Sequence, residues 1–411
     1  MAVFRGFKAY RPCKENQELI PALPYDVMSS AEARTMVKDK PLSFLHVDRA
    51  EVDLPEDTDI YSDEVYKKAK SNLDKLEADY MIQDNTPCFY IYNQIMNGRG
   101  QVGIVGCASI DDYINNVIKK HEHTLAKKEQ DRINHVNTCD ANTGPIFLTY
   151  RNNSKLNDIV DSYMKNNEPE YDFIADGVKQ TVWVVSDSKL VAEISELFGS
   201  VDAMYIADGH HRCASAVKVG QMRREQNPDY TGEEEFNYFL AVAFPDNQLE
   251  IMDYNRVVKD LNGYTADEFL KKLEKAFTYK KADSAYKPSE KHTFGMLLDN
   301  QWYELRAKKE YVYENSPVDR LDVSILQNNL LTPVLNISNP KNDERIDFIG
   351  GIRGLEELER RVNTDMTLAF AMYPTTVEDL MDIADAGLIM PPKSTWFEPK
   401  LLSGIFIHHL S

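Results

Sequence analysis

Long apolar runs are missing from this chain of 411 residues: no stretch approaches the roughly 18 apolar residues that span a bilayer. The opening segment, MAVFRGFKAYRPCKENQ, lacks the apolar stretch of about 7–15 residues that a secretory leader needs. Cysteine is scarce. The 5 cysteines, Cys13, Cys88, Cys107, Cys139 and Cys213, are odd in number and scattered, with no CxxC pair. That excludes a disulfide framework and a zinc ribbon, and the expectation is a reduced, cytoplasmic protein. Positive charge is in deficit too, with 47 Lys+Arg against 66 Asp+Glu and a formal net charge of -19. Such an acid excess opposes any function that depends on neutralising a nucleic-acid backbone or an anionic membrane. Familiar catalytic signatures are also absent. There is no GxxxxGK[ST] loop, no HRD and DFG pair and no GxSxG, and HEHTL fails as a zincin because Leu125 stands where HExxH needs histidine.

The length suits two or three domains, and 43% hydrophobic with 10% aromatic residues suits a soluble globular enzyme. Residues 31–38 and 62–80 read as helices, the second carrying Val65, Ala69, Leu73 and Leu76 at helical spacing. Two β-rich runs flank Asn97-Gly98, so Gly98, Gly100 and Gly103 belong to a hairpin and not to a nucleotide loop. TVWVVS and AMYIAD read as buried strands around a helix at 188–198, and 237–243 and 249–258 as further strands. Thr265 with Glu268 forms a capping box, HTFGMLLDNQWYELRAK alternates like strands around Asp299-Asn300, and VDRLDVSILQNNLL and TVEDLMDIADAG read as helices. Interspersed strands and helices imply an α/β or α+β fold with mixed sheets. A boundary near 245–260 divides an N-terminal part, 1–245, from a C-terminal part, 246–411, whose last loop, 390–404, is expected to return to the site.

Chemistry concentrates in three places. Asp208-Gly209-His210-His211-Arg212 lies between an apolar strand and an Ala-rich helix. Gly209 permits a tight turn and close ligand approach, the helix start favours an anion, and Arg212 offers a planar fork for phosphate oxygens. Asp208 is a candidate metal ligand, and His210 and His211 are candidate donors to a transferred group. Next, His121-Glu122-His123-Thr124 precedes a polar stretch. With Thr124 as cap, Lys128, Arg132 and His135 share one helix face suited to an anionic ligand or to solvent. Glu122 is the candidate general base. Third, the run from Pro391 to Lys400 supplies Lys393, Ser394, Thr395 and Lys400 as donors to an anion. Near the N-terminus, PALPYDVMSS places Tyr25 and Asp26 either along a cleft or in a rigid turn, with His121, His123 and Thr124 the other substrate-side candidates.

These residues resemble a known pattern. A His-Glu motif followed by DGHHR opening an Ala-rich helix is similar to the ParB/sulfiredoxin-like superfamily, and within it to the free serine kinases. The order PYDV, HEHT, DGHHR and MPPKSTWFEPK, spread over nearly the whole chain, resembles a family that includes pyrophosphate-dependent serine kinases. The resemblance implies a ParB-like catalytic core with additional N- and C-terminal α/β elements. It also implies phosphorylation of free L-serine to O-phospho-L-serine, which feeds cysteine synthesis. Glu122 matches the catalytic base, and Asp208, Gly209, His210, His211 and Arg212 match the stretch that binds phosphate and the metal ion, expected to be Mg2+. Lys393, Ser394, Thr395 and Lys400 match a family motif, their role inferred from chemistry. Pyrophosphate is the donor expected first, with ADP and ATP open. Sulfiredoxin's reactive cysteine is replaced here by His210, which removes cysteine-based repair, and the net charge separates the chain from DNA-binding ParB proteins. Two other classes remain: a non-catalytic sensor of phosphate or nucleotide, and a metal-dependent hydrolase using His121, His123, His210 and His211.

Overall fold

A computed structural model describes residues 1–411. Its contacts divide the chain into two units, residues 1–249 with 399–411, and residues 250–398. The expected mixed α/β character is found in both.

The first unit is built on a nine-stranded sheet. Its strands are β1 (Phe4–Arg5), β2 (Phe89–Met96), β3 (Arg99–Ser109), β4 (Ile118–Lys119), β5 (Ile146–Tyr150), β6 (Tyr171–Ala175), β7 (Val178–Val185), β8 (Met204–Asp208) and β9 (Tyr238–Pro245). They lie in the order β4-β8-β5-β9-β3-β2-β7-β6, with β1 against β3. β4 runs parallel to β8 and β5 parallel to β9, and the remaining pairs are antiparallel. The β2–β3 hairpin closes on Asn97 (φ 52) and Gly98 (φ 79), the two positive-φ positions that a type I′ turn demands. β5 is covered on both faces: it reads IFLTY with every residue buried. Phe89, Ile91, Leu148, Ile206, Phe239 and Ala241 from four of these strands share one core.

Helices α1 (Ser30–Val37), α2 (Asp63–Tyr80), α3 (Ala126–Cys139), α4 (Ser154–Asn166), α5 (Ser188–Gly199) and α6 (His210–Gln226) complete the unit. The apolar stripe of α2 buries Val65, Ala69, Leu73 and Leu76 in a second core with Phe44, Leu45 and Ile407. α3 departs from expectation at its start. Leu125, not Thr124, occupies the cap position, and Thr124 instead donates its hydroxyl to the Glu129 carboxylate at 2.5 Å.

The second unit carries β10 (Tyr254–Val258), β11 (Phe277–Lys281), β12 (Thr293–Leu298), β13 (Gln301–Ala307), β14 (Ile346–Gly350) and β15 (Leu368–Met372). They form an antiparallel sheet in the order β11-β13-β12-β15-β10-β14. The strand expected at 249–258 begins only at Tyr254, because Ile251 and Met252 are tied to Phe397 and Trp396. Helices α7 (Ala266–Leu273), α8 (Gly354–Thr364) and α9 (Val377–Asp385) pack here, and α7 starts on the expected Thr265–Glu268 capping box. The helix read across 318–331 is regular only over Asp322–Leu326. It then widens into a π-turn, where the Asn329 side chain takes the Ile325 carbonyl from the ladder.

Residues 399–411 leave the second unit and form a strap across the first. Ser403 bridges to Ala22, Ile407 to Tyr10, and His408–His409 pairs with Ala141–Asn142. A single C-terminal part spanning 246–411 is therefore corrected: strand pairing assigns its last residues to the first unit. The cysteines are free, and no helix is long and apolar enough to cross a membrane.

Candidate active site

β8 brings four buried apolar residues, Met204 to Ala207, to the sheet edge of a turn and ends on Asp208. Gly209 follows at φ +89, the left-handed region where a side chain is strained, and α6 begins at His210. A Cβ at Gly209 would stand 3.3 Å from Arg212 Nε. The glycine thus lets the guanidinium fold back over the helix start, where unpaired amides and the positive end of the helix dipole lie.

Asp208 is held from two sides. Oδ1 accepts the Gly209 amide at 2.8 Å, and Oδ2 accepts Lys400 Nζ at 3.0 Å. Burial by itself would raise the pKa of this carboxyl. The charges of Lys400 and Arg212 outweigh burial and hold it well below the ordinary carboxylate range. Arg212 Nη1 donates to the Pro145 carbonyl at 2.7 Å, while its Nε is buried with no partner. Gly144 sits under the same guanidinium: a Cβ there would fall 2.7 Å from Ser403 Oγ and 3.4 Å from Arg212 Nη1.

Two imidazoles close the inner wall. His121 and His210 meet edge to face with ring centroids 4.5 Å apart. Both ring nitrogens of His121 and Nε2 of His210 are buried without a hydrogen-bond partner. Burial pushes the His121 pKa down to about 4, and burial together with the neighbouring His121 pushes His210 well below its usual value. Both rings are neutral at pH 7. His211 points elsewhere, its Nε2 accepting the Leu125 amide at 3.0 Å, which leaves the neutral ring's proton on Nδ1.

The basic strip expected on α3 is not a uniform face. Lys128 is exposed, whereas Arg132 and His135 are buried. Arg132 pairs with Asp131 at 2.8 Å and lies 4.1 Å over the Tyr25 ring. His135 meets the Val47 carbonyl at 3.1 Å. Tyr25, Asp48, Arg132, His135, Gly144 and Arg212 line a small chamber of about 20 Å³. Tyr25, Asp26, Tyr61, Tyr66, Lys128 and Arg132 line a larger one of about 150 Å³, in which Tyr25, Asp48, Arg132 and His135 recur. Burial raises the Tyr25 pKa, against the opposing charge of Arg132, so its hydroxyl stays protonated.

The third expected cluster divides. Lys400 belongs to the first unit and reaches Asp208, but Lys393, Ser394 and Thr395 belong to the second. There Ser394 Oγ donates to Pro391 O at 2.6 Å, its carbonyl accepts from Thr375, and the Lys393 carbonyl accepts from Arg256. Those bonds fix a turn with Lys393 at φ 60. Glu122, half-buried, and His123, exposed, lie between β4 and α3. Of the four histidines weighed as a metal set His121 and His210 meet, but no group of three or more His, Cys, Asp or Glu is disposed to hold a metal ion. Gly144, Ser403 and Asp48 were not marked by sequence reasoning, since a small residue or a lone carboxylate carries no local motif. A separate cavity of about 290 Å³ in the second unit contains Lys291 and Arg320, both already paired with Asp379.

Residues 4–324 match the family described as "Protein of unknown function (DUF1015)". No curated protein matches the chain. Among solved structures, a free serine kinase in complex with AMP is 14% identical, with 72% of this chain and 86% of that chain covered and a TM-score of 0.36. SbnI with C-terminal truncation from Staphylococcus aureus is 10% identical over 73% and 85% of the two chains, with a TM-score of 0.38. A conserved hypothetical protein from Pyrococcus furiosus is 13% identical over 76% and 97%, with a TM-score of 0.35. Likenesses this distant transfer no chemistry.

Proposed function

The chain belongs to the DUF1015 family, whose description leaves its chemistry open, and we propose that it is a small-molecule phosphotransferase converting free L-serine to O-phospho-L-serine. One observation carries this reading: Lys400, Arg212 and the amide start of α6 converge on the Asp208–Gly209 turn, and Arg212 Nε is buried there without a protein partner. Buried donors are normally satisfied, so this arrangement is built to receive an acceptor-rich anion. Phosphoryl transfer asks for positioning and charge neutralisation more than for covalent chemistry. The motif order, with its resemblance to serine kinases, supplies the acceptor. The β8–α6 turn is the part we assign to a ParB/sulfiredoxin-like core.

The donor we propose is pyrophosphate, because the turn offers cations and amides but no glycine-rich nucleotide loop. The serine hydroxyl attacks one phosphorus, its proton passes to the Glu122 carboxylate, and inorganic phosphate leaves. Arg212, Lys400 and the α6 amides hold the negative charge of the transferred group. Tyr25 and Arg132, in the adjoining chamber, are assigned to the acceptor side. Asp208 is the residue that would hold Mg2+, a hard cation that takes carboxylate oxygen. When bound it would add further charge neutralisation at the transferred group.

Purified protein incubated with L-serine and pyrophosphate, ADP or ATP is expected to yield O-phosphoserine, measured by mass spectrometry. Glu122→Gln should lower turnover about 10²- to 10⁴-fold while donor binding persists. Absence of product with every donor would refute the reading, and ligand-dependent stabilisation without turnover would make the protein a sensor.

A further inference from the structure

Gln180, Gln94 and Gln101 stand directly opposite one another on β7, β2 and β3, one row across three neighbouring strands. All three are at most 1% exposed, as is Tyr92 beside them. Gln101 Nε2 donates to Gln94 Oε1 at 3.0 Å, Tyr92 donates its hydroxyl to Gln180 Oε1 at 2.6 Å, and Gln94 Nε2 lies 3.2 Å from that same oxygen. A row of buried amides in an apolar sheet contributes little net stability, since apolar residues of the same shape serve a core as well or better. Even here one atom, Gln101 Oε1, is left without a partner.

The row leads to the strap. Gln94 Nε2 donates to the Lys400 carbonyl at 3.0 Å. Downstream, the strap is pinned by its bridges at Ser403 and Ile407. Phe406 packs on Tyr90 and Tyr92, with centroids 4.9 and 6.1 Å away, and such apolar contact has no direction. A hydrogen bond has one. Slipping extended chain by one residue moves each Cα by about 3.3 Å and turns its side chain to the other face. That would remove Lys400 from Asp208.

We infer that Gln94 is a positioning residue, whose amide fixes the backbone of Lys400 so that its ammonium meets Asp208. The inference rests on the anion-site reading given above. A buried polar group that specifies register at the expense of stability has precedent in coiled coils.

The test uses the full chain and inorganic pyrophosphate as probe, with Gln94→Met, the triple variant Q94M/Q101M/Q180M, Lys400→Met and Q94M/K400M. Calorimetry should show pyrophosphate binding about tenfold weaker in Q94M and in the triple variant, the equivalent of one hydrogen bond's worth of free energy. The triple variant orphans the Tyr92 hydroxyl but no amide, and should melt no lower than Q94M, which orphans the Gln101 amide. Q94M should add no further loss in the K400M background, a non-additivity that a general packing defect would not produce. Wild-type binding by Q94M and the triple variant, or an equal loss in both backgrounds, would overturn the inference. Should K400M itself bind like wild type, the anion site is wrong, and amide exchange over 399–402 decides the positioning role: unchanged exchange in Q94M overturns it, faster exchange upholds it.

Discussion

Replacing Lys400 by Met removes the ammonium 3.0 Å from Asp208 and keeps most of the aliphatic stem. The pair stands at the edge of the interior, with side-chain exposures of 13% for Lys400 and 32% for Asp208. At an effective dielectric of about 20, unit charges 3 Å apart attract by ~5.5 kcal/mol before desolvation is counted. Arg212 and the Gly209 amide remain to hold the carboxylate, and the cost of burying the ammonium disappears. A net loss of about 2–3 kcal/mol follows, below the ~3–5 kcal/mol of a fully buried pair. The pH dependence has a definite sign. Asp208 is held below its unfolded value, so its contribution is fully present above the unfolded carboxylate range and is lost as pH falls through the folded value. The penalty of Lys400→Met is therefore full at pH 7 and shrinks only below the ordinary carboxylate range, as pH falls towards the folded value. Hydrogen exchange of peptides covering Met204–Asp208 reads this in the first unit alone. Opening should be about 30- to 150-fold more frequent in the variant at pH 7. Equal protection at pH 7 would refute the argument.

Other substitutions test the same site. Gly144→Ala places a methyl group 2.7 Å from Ser403 Oγ, and overpacking of about 1–3 kcal/mol is expected as a lowered Tm, relieved in G144A/S403A. A neutral G144A would show that the strap does not press on Arg212. Arg212→Lys loses the planar fork and the 2.7 Å bond to Pro145 O; pyrophosphate should bind about tenfold or more weakly in calorimetry, with little change in Tm. Folded His121 has its pKa pushed to about 4 by burial, so the unfolded chain takes up its proton first as pH falls from about 6.5. From pH 7 to 5 this removes about 2 kcal/mol of stability, and urea unfolding of His121→Leu should show a pH slope reduced by that amount.

Local signals were legible from residue order alone, because they depend on neighbours a few positions apart. The Asn97-Gly98 turn, the Thr265–Glu268 box, the stripe of α2 and the β8–Gly209–α6 turn all follow from turn chemistry, capping and periodicity. So did the gathering of Asp208, Gly209 and Arg212, which one tight turn and the first turn of one helix bring together. Periodicity says which face of an element is apolar, but not what covers it. Arg132 lies on a polar stretch of sequence and is nevertheless buried, since Tyr25 and Asp131 supply the ring and the charge that offset its desolvation.

Distance along the chain hid the rest. Lys400 and Asp208 are separated by 192 residues, and only the strap's pairing with Ala22, Tyr10 and Ala141–Asn142 makes them neighbours. Ser394, six positions before Lys400, is committed instead to Pro391 and Thr375 in the other unit. Composition and short-range pattern determined an acidic mixed α/β chain carrying a tight Asp208-Gly209 turn at a helix start. Which cation completes that turn was decided by long-range strand pairing, because register between remote segments is set by the two partners jointly and is written in neither alone.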